Sequence, residues 1–172
     1  GKEAIVLDLA DARGRDALHR IVRALEVDVF CCNTLPGRYE RLGIDAETLS
    51  ALRPGLIWAG ISAMGPEHPD VPGYDPALQM QLGYGDLTGP MDGPPMLCGL
   101  PVIDLKAGDE LLTQVLAALW ERERTGCGAR IDVSMARAAA SWLVTVIPML
   151  DGGARPEELT RSGAEHLHFV PS

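Results

Sequence analysis

Apolar positions along this chain fall into short unbroken runs separated by stretches with helical spacing. Ala4 to Leu9 is a compact apolar run, the pattern of a buried strand. Arg15 to Leu25 then puts Leu18, Ile21, Val22 and Leu25 on one helical face, with Arg15, His19, Arg20 and Arg23 on the solvated side. Val27 to Cys32 is a second strand run, so the chain is expected to open on a βαβ unit with a right-handed crossover. Ile44 to Leu52 predicts a short helix with Asp45 as its N-cap, and Leu56 to Ser62 a third strand. A Gly- and Pro-rich loop spans Ala63 to Pro76, and a helix follows over Ala77 to Leu82, opened by Tyr74 and Asp75.

The run from Gly99 to Gly108 predicts the end of a strand meeting the start of a long amphipathic helix. Leu111, Leu112, Val115, Leu116, Leu119 and Trp120 are its expected buried face, and Gly126 and Gly128 its stop. Ala129 to Val133 reads as a short strand. Met135 to Leu150, apolar all round and interrupted near Pro148, reads as a buried helix. Strands alternating with helices define an α/β fold with an open, mostly parallel sheet flanked by helices, Rossmann-like and incomplete. The expected domain covers 1–150, and the polar stretch 151–172 reads as a linker or the start of a smaller domain. Both ends read as cut: one enters a strand with almost no lead-in, and the other stops without a cap.

Composition narrows the picture. Aromatic residues are 5% of the 172, so the core must come from Ala, Leu, Val and Ile. A net charge of -9 without a basic cluster excludes a nucleic-acid surface. No apolar run reaches the length of a membrane span, and the N-terminal order is not that of a signal peptide. The four cysteines, Cys31, Cys32, Cys98 and Cys127, show no CxxC or Cys/His ligand spacing, which reads as reduced thiols in the cytoplasm. His166 and His168 lack a third partner, so no metal site is expected.

Candidate chemistry gathers at two places. Asp104, between a strand end and a helix start, faces the positive end of the helix dipole and unpaired N–H groups. That setting would keep it ionised, either as a nucleophile or simply as a helix cap. The second place is Asn33-Thr34-Leu35-Pro36-Gly37, followed by Arg38 and Arg41. It falls beyond the carboxyl end of a strand, where open α/β sheets bind ligands, and its arginines suit an anion. The glycines of Gly83-Tyr84-Gly85 and Gly89 fit neither a dinucleotide nor a P-loop fingerprint and read as turns.

Five stretches in order resemble the class III CoA-transferase family, which includes formyl-CoA:oxalate and carnitine CoA-transferases and the related α-methylacyl-CoA racemases. They are Asn33-x-x-Pro36-Gly37-x-x-x-Arg41-Leu42-Gly43, Pro72-Gly73-Tyr74-Asp75, Leu87-Thr88-Gly89-x-x-x-Gly93-Pro94-Pro95, Gly99-x-Pro101-x-x-Asp104 and Glu121-Arg122-x-x-Thr125-Gly126-x-Gly128. The resemblance implies an Asp nucleophile at Asp104 and CoA contacts at Asn33 and Arg41, with the backbone near Thr34 and Leu42. Met64, Tyr74 and Tyr84 would shape the acyl pocket. It further implies no permanently bound cofactor, coenzyme A and acyl-CoA as substrates, a small carboxylic acid as acceptor, and an interlocked homodimer in the complete protein.

The implied reaction moves CoA through an aspartyl-CoA thioester, with Gly108 and the Gly83–Gly85 turn as candidate oxyanion donors. Racemases of the family carry a His where this chain has Tyr74, and a phenol with a pKa of about 10 is a poor base near neutrality. Transfer is therefore expected over racemisation; the other alternative is a truncated, non-catalytic CoA-binding or assembly module. Family members commonly carry a Lys where this chain has Ala10, and some a second one near Ser62 or Ala63. Full-length members also extend well past both ends, so the chain resembles an internal piece or a shortened homologue.

Overall fold

Three short strands carry the fold in the computed structural model, which describes residues 1–90 and 93–147. In chain order the elements are α1 (Ala12–Ala24), β1 (Val29–Cys32), α2 (Tyr39–Leu42), α3 (Ala46–Leu52), β2 (Ile57–Ser62), α4 (Asp75–Gln81), α5 (Tyr84–Leu87), α6 (Val102–Thr125), β3 (Ala129–Ser134) and α7 (Met135–Ala140). The strands form one parallel sheet in the order β1-β2-β3. Val29 pairs with Ile57, Ile57 with Ala129, and Ser62 with Ser134. The α/β class and the parallel sheet flanked by helices are as the apolar pattern predicts.

Successive residues of a strand point to opposite faces, and β2 shows the consequence. Trp58 enters a cluster with Val22, Tyr39, Ile44, Leu49 and Leu56, closed by α1, α2 and α3. Ile57 and Ala59 enter another with Ile131, Val133, Ala107 and Ala138, closed by α6 and α7. Trp58 is fully buried, and its indole N–H finds an acceptor in the Ile44 carbonyl at 2.6 Å. The Tyr39 ring meets it edge-on with centroids 5.1 Å apart. Gly60 makes room for the Trp58 ring, since a Cβ there would strike it.

Helix ends follow the sequence signals. The Asp45 carboxylate accepts from Thr48 N–H at 2.8 Å, Asp11 accepts from Arg13 N–H at 2.8 Å, and Gly126 closes α6 in the left-handed region at φ 72°. Among the described residues no helix is long and apolar enough to cross a membrane.

Several expectations are corrected. Ala4 to Leu9 forms no strand: Ile5 and Val6 are exposed, and no strand of the described residues lies beside them to pair with. Without it the opening βαβ unit does not form, and α1 packs on α3 with only Leu9 of that run against the core. His19 is half-buried rather than solvated, held at 2.7 Å from the Gly43 carbonyl. On α6 only one side of the expected face meets the sheet. Leu111, Val115 and Leu119 pack there, whereas Leu112, Leu116 and Trp120 are exposed.

The apolar helix expected from Met135 gives α7 and then a tighter 3-10 turn over Ser141–Thr145. Ala138 and Ala139 are buried, but Trp142, Val144 and Ile147 are exposed, so it is not buried all round. Pro148, the expected linker 151–172, and His166 and His168 lie outside the described residues.

Candidate functional site

All three strands end at one edge, and a cleft of about 790 Å³ opens there. Asn33, Thr34, Leu35 and Arg38 follow β1; Ile61, Ser62 and Ala63 close β2; Met135 follows β3. Pro72, Gly73 and Tyr74 supply a third wall from the loop before α4, and Asp104 reaches in from α6. A parallel sheet places its ligand cleft at this edge because the loops that leave the strands diverge there.

Asp104 is not at a strand end. Residues 93–101 are irregular, α6 begins at Val102, and Asp104 lies in its first turn. The N-cap of that helix is Pro101, which has no side-chain donor or acceptor to offer and makes no capping bond. The first-turn amides are satisfied from elsewhere. The carboxylate of Asp75, at the start of α4, accepts from Ile103 N–H at 2.7 Å and from Asp104 N–H at 3.1 Å. The N–H groups expected to favour an ionised Asp104 are therefore already taken. Partial burial, with a further push from the neighbouring Asp75 carboxylate, raises the Asp104 pKa above its ordinary value. Its side chain stays exposed to the cleft, and among the described residues none donates a hydrogen bond to it.

The predicted site residues divide into two groups. Asn33, Thr34, Tyr74 and Asp104 share the cleft. Arg41, Leu42, Met64 and Tyr84 do not line it, and neither do Gly108 or Gly83–Gly85. Arg41 is exposed on α2, and Leu42 packs against the Trp58 cluster. Met64 packs against a third cluster, which also buries Tyr84, whose hydroxyl donates to the Ala139 carbonyl at 2.7 Å.

The cation that faces the cleft is Arg38, at the end of a 3-10 turn over Pro36–Arg38, and it pairs with no carboxylate of the described residues. Sequence reasoning took Asp75 only as the opening of its own helix and part of a motif, and missed that it caps α6. The signal was the Pro at position 101, which leaves a helix start without its own cap.

Fold and cleft define an α/β protein with an accessible carboxylate at the ligand-binding edge of a parallel sheet. The chain belongs to CoA-transferase family III, whose family model matches residues 1–172. It is 36% identical over 174 residues to an acetyl-CoA:oxalate CoA-transferase of Acetobacter aceti, covering 99% of this chain and 44% of that protein. With a succinyl-CoA:glutarate CoA-transferase of Mus musculus it shares 31% over 174 residues, 99% of this chain and 38% of the relative.

A crystal structure of a CAIB/BAIF family protein from Brucella suis superposes with a TM-score of 0.84 at 31% identity. That match covers 92% of this chain and 42% of the other. The chain thus spans less than half the length of the relatives it matches.

Proposed function

We propose that this chain carries the nucleophile and part of the CoA cleft of an enzyme that transfers coenzyme A from an acyl-CoA to a carboxylic acid. One observation carries the reading: Asp104 is exposed in the cleft formed by the strand ends, together with the Asn33–Arg38 loop. A carboxylate free of hydrogen-bond donors is a better nucleophile than one that caps its own helix, and Asp75 relieves Asp104 of that duty.

The Asp104 carboxylate attacks the thioester carbonyl, expelling the CoA thiolate and leaving a mixed anhydride. The thiolate returns to the aspartyl carbonyl, releases the donor acid and leaves an aspartyl-CoA thioester. The acceptor carboxylate attacks that thioester, again freeing the thiolate and forming a second anhydride. Attack of the thiolate on the acceptor's acyl carbon yields the new acyl-CoA and restores Asp104. Asn33, Thr34 and Arg38 would hold the CoA, Arg38 taking the anionic part that Arg41 was expected to meet. Tyr74 would border the acyl group. An interlocked homodimer, which the resemblance implies, and a cytoplasmic setting, in keeping with the four free cysteines, complete the reading.

The test is mass spectrometry of the complete gene product after incubation with a panel of acyl-CoAs. A CoA adduct, or its hydroxamate after hydroxylamine, is expected on the peptide holding Asp104 and is expected to vanish in Asp104→Ala. Acyl exchange by Asp104→Ala at the wild-type rate would overturn the nucleophile assignment.

A further inference from the structure

The first turn of α6 is pinned by a carboxylate 28 residues upstream in sequence. Asp75 is 3% exposed, and both its oxygens are engaged. One receives the Ile103 and Asp104 amides, and the other receives the Gln79 side-chain amide. Gln79, buried one turn further along α4, turns its carbonyl to Cys98 N–H at 2.8 Å and sets its amide 3.4 Å from the Leu100 carbonyl. Two side chains of α4 therefore hold both the irregular lead-in, through Cys98 and Leu100, and the backbone of Asp104 itself. Tyr74, next to Asp75 in sequence, lines the cleft, so the same junction fixes the nucleophile relative to one cleft wall.

From this geometry we infer that Asp75 is the positioning residue of the site: its buried carboxylate caps α6 in place of Pro101 and sets where the Asp104 side chain enters the cleft. The inference rests on the reading of Asp104 as the nucleophile. A neutral amide there would keep one acceptor for α6 but turn its own N–H groups toward the Gln79 side-chain amide, whereas the carboxylate accepts on both sides. Its charge also lies beside Asp104, which favours the protonated form of Asp104. The charged or titratable side chains that line the cleft with Asp104 are Arg38 and Tyr74; Lys106, two residues on along α6, is paired to Glu110 at 3.1 Å. Of the two carboxylates at this junction, Asp75 is the one held by hydrogen bonds and Asp104 the one left open for chemistry.

Three variants of the complete gene product, assayed for acyl exchange across pH, separate the outcomes. Asp75→Asn keeps an acceptor for the α6 amides and removes the charge. It is expected to lower kcat at least tenfold, to leave the KM for acyl-CoA within twofold, and to move the acid limb of kcat/KM to lower pH. Asp75→Ser, a smaller neutral cap, should shift the limb in the same direction. Asp104→Asn should abolish exchange. If Asp104→Asn is inactive while Asp75→Asn retains the wild-type kcat and limb, this inference falls and the nucleophile reading stands. If Asp104→Asn remains active, the nucleophile reading falls first. Should neither Asp75 variant fold, amide exchange of the wild type decides: Ile103 and Asp104 N–H are expected to be protected, and free exchange at both would overturn the inference.

Discussion

At the scale of single residues, Asp104 combines an exposed side chain with a pKa above its ordinary value, because burial and the nearby Asp75 both disfavour its charge. The sign of the resulting pH dependence follows directly. On the proposed reading Asp104 must be ionised to attack, so activity falls as pH drops through the raised pKa. The acid limb of kcat/KM should therefore lie above the value of about 3.9 for an unperturbed aspartate. A profile for the complete gene product measured from pH 4 to 8 checks it, and a limb at or below the ordinary value would contradict it.

How much of this was legible in the sequence depends on range. Asp104, Asn33 and Tyr74 were, because each lies inside a local pattern of turn, strand end or helix start. Asp75 capping α6 was not, since the pattern around Pro101 shows only that a cap is missing. Of the two arginines that the sequence placed beside an anion, only Arg38 lines the cleft. Arg38 ends the 3-10 turn that leaves β1 and lines the cleft, whereas Arg41 lies in the following helix α2, where it is exposed and does not line it.

At the scale of elements, glycines divide into those that are required and those that are not. Gly128 was legible only as a helix stop. In the fold it lies against the carbonyls of Leu56 and Pro54, donates to the latter at 3.1 Å, and leads β3 into register beside β2. A Cβ there would strike backbone that cannot move without shifting the sheet, so Gly128→Ala should destabilise the chain by about 1–3 kcal/mol. Gly108 sits exposed within α6 with nothing near its Cβ position. Gly108→Ala should therefore stabilise by up to about 1 kcal/mol through helix propensity alone. Thermal unfolding of the two variants checks both signs, and equal shifts would refute the packing account.

The strand expected at Ala4 to Leu9 failed at this same scale. An apolar run becomes a strand only when a neighbour supplies its hydrogen bonds, and no strand of the described residues does so.

At the scale of the whole molecule, α6 is apolar on two sides, and periodicity cannot say which of them faces the sheet. Ala107, Leu111, Val115 and Leu119 pack against β2 and β3. Leu105, Leu112, Leu116 and Trp120, at helical spacing on another side, stay exposed, Trp120 by 72%. Ile5, Val6, Trp142 and Val144 add further uncovered apolar side chains. Bare surface of this kind lowers its free energy by meeting more of itself, at roughly 25 cal/mol per Å² covered. The 172-residue chain is accordingly expected to bind an apolar dye and to sediment faster as concentration rises. The double variant Leu116→Gln with Trp120→Gln should weaken both effects. Because exposed side chains contribute little to folding, its unfolding free energy should stay within about 0.5 kcal/mol of the wild type's, as is typical of surface changes. A loss of several kcal/mol instead would mean that this side of α6 is covered within the molecule under test, and the open stripe would have to be abandoned.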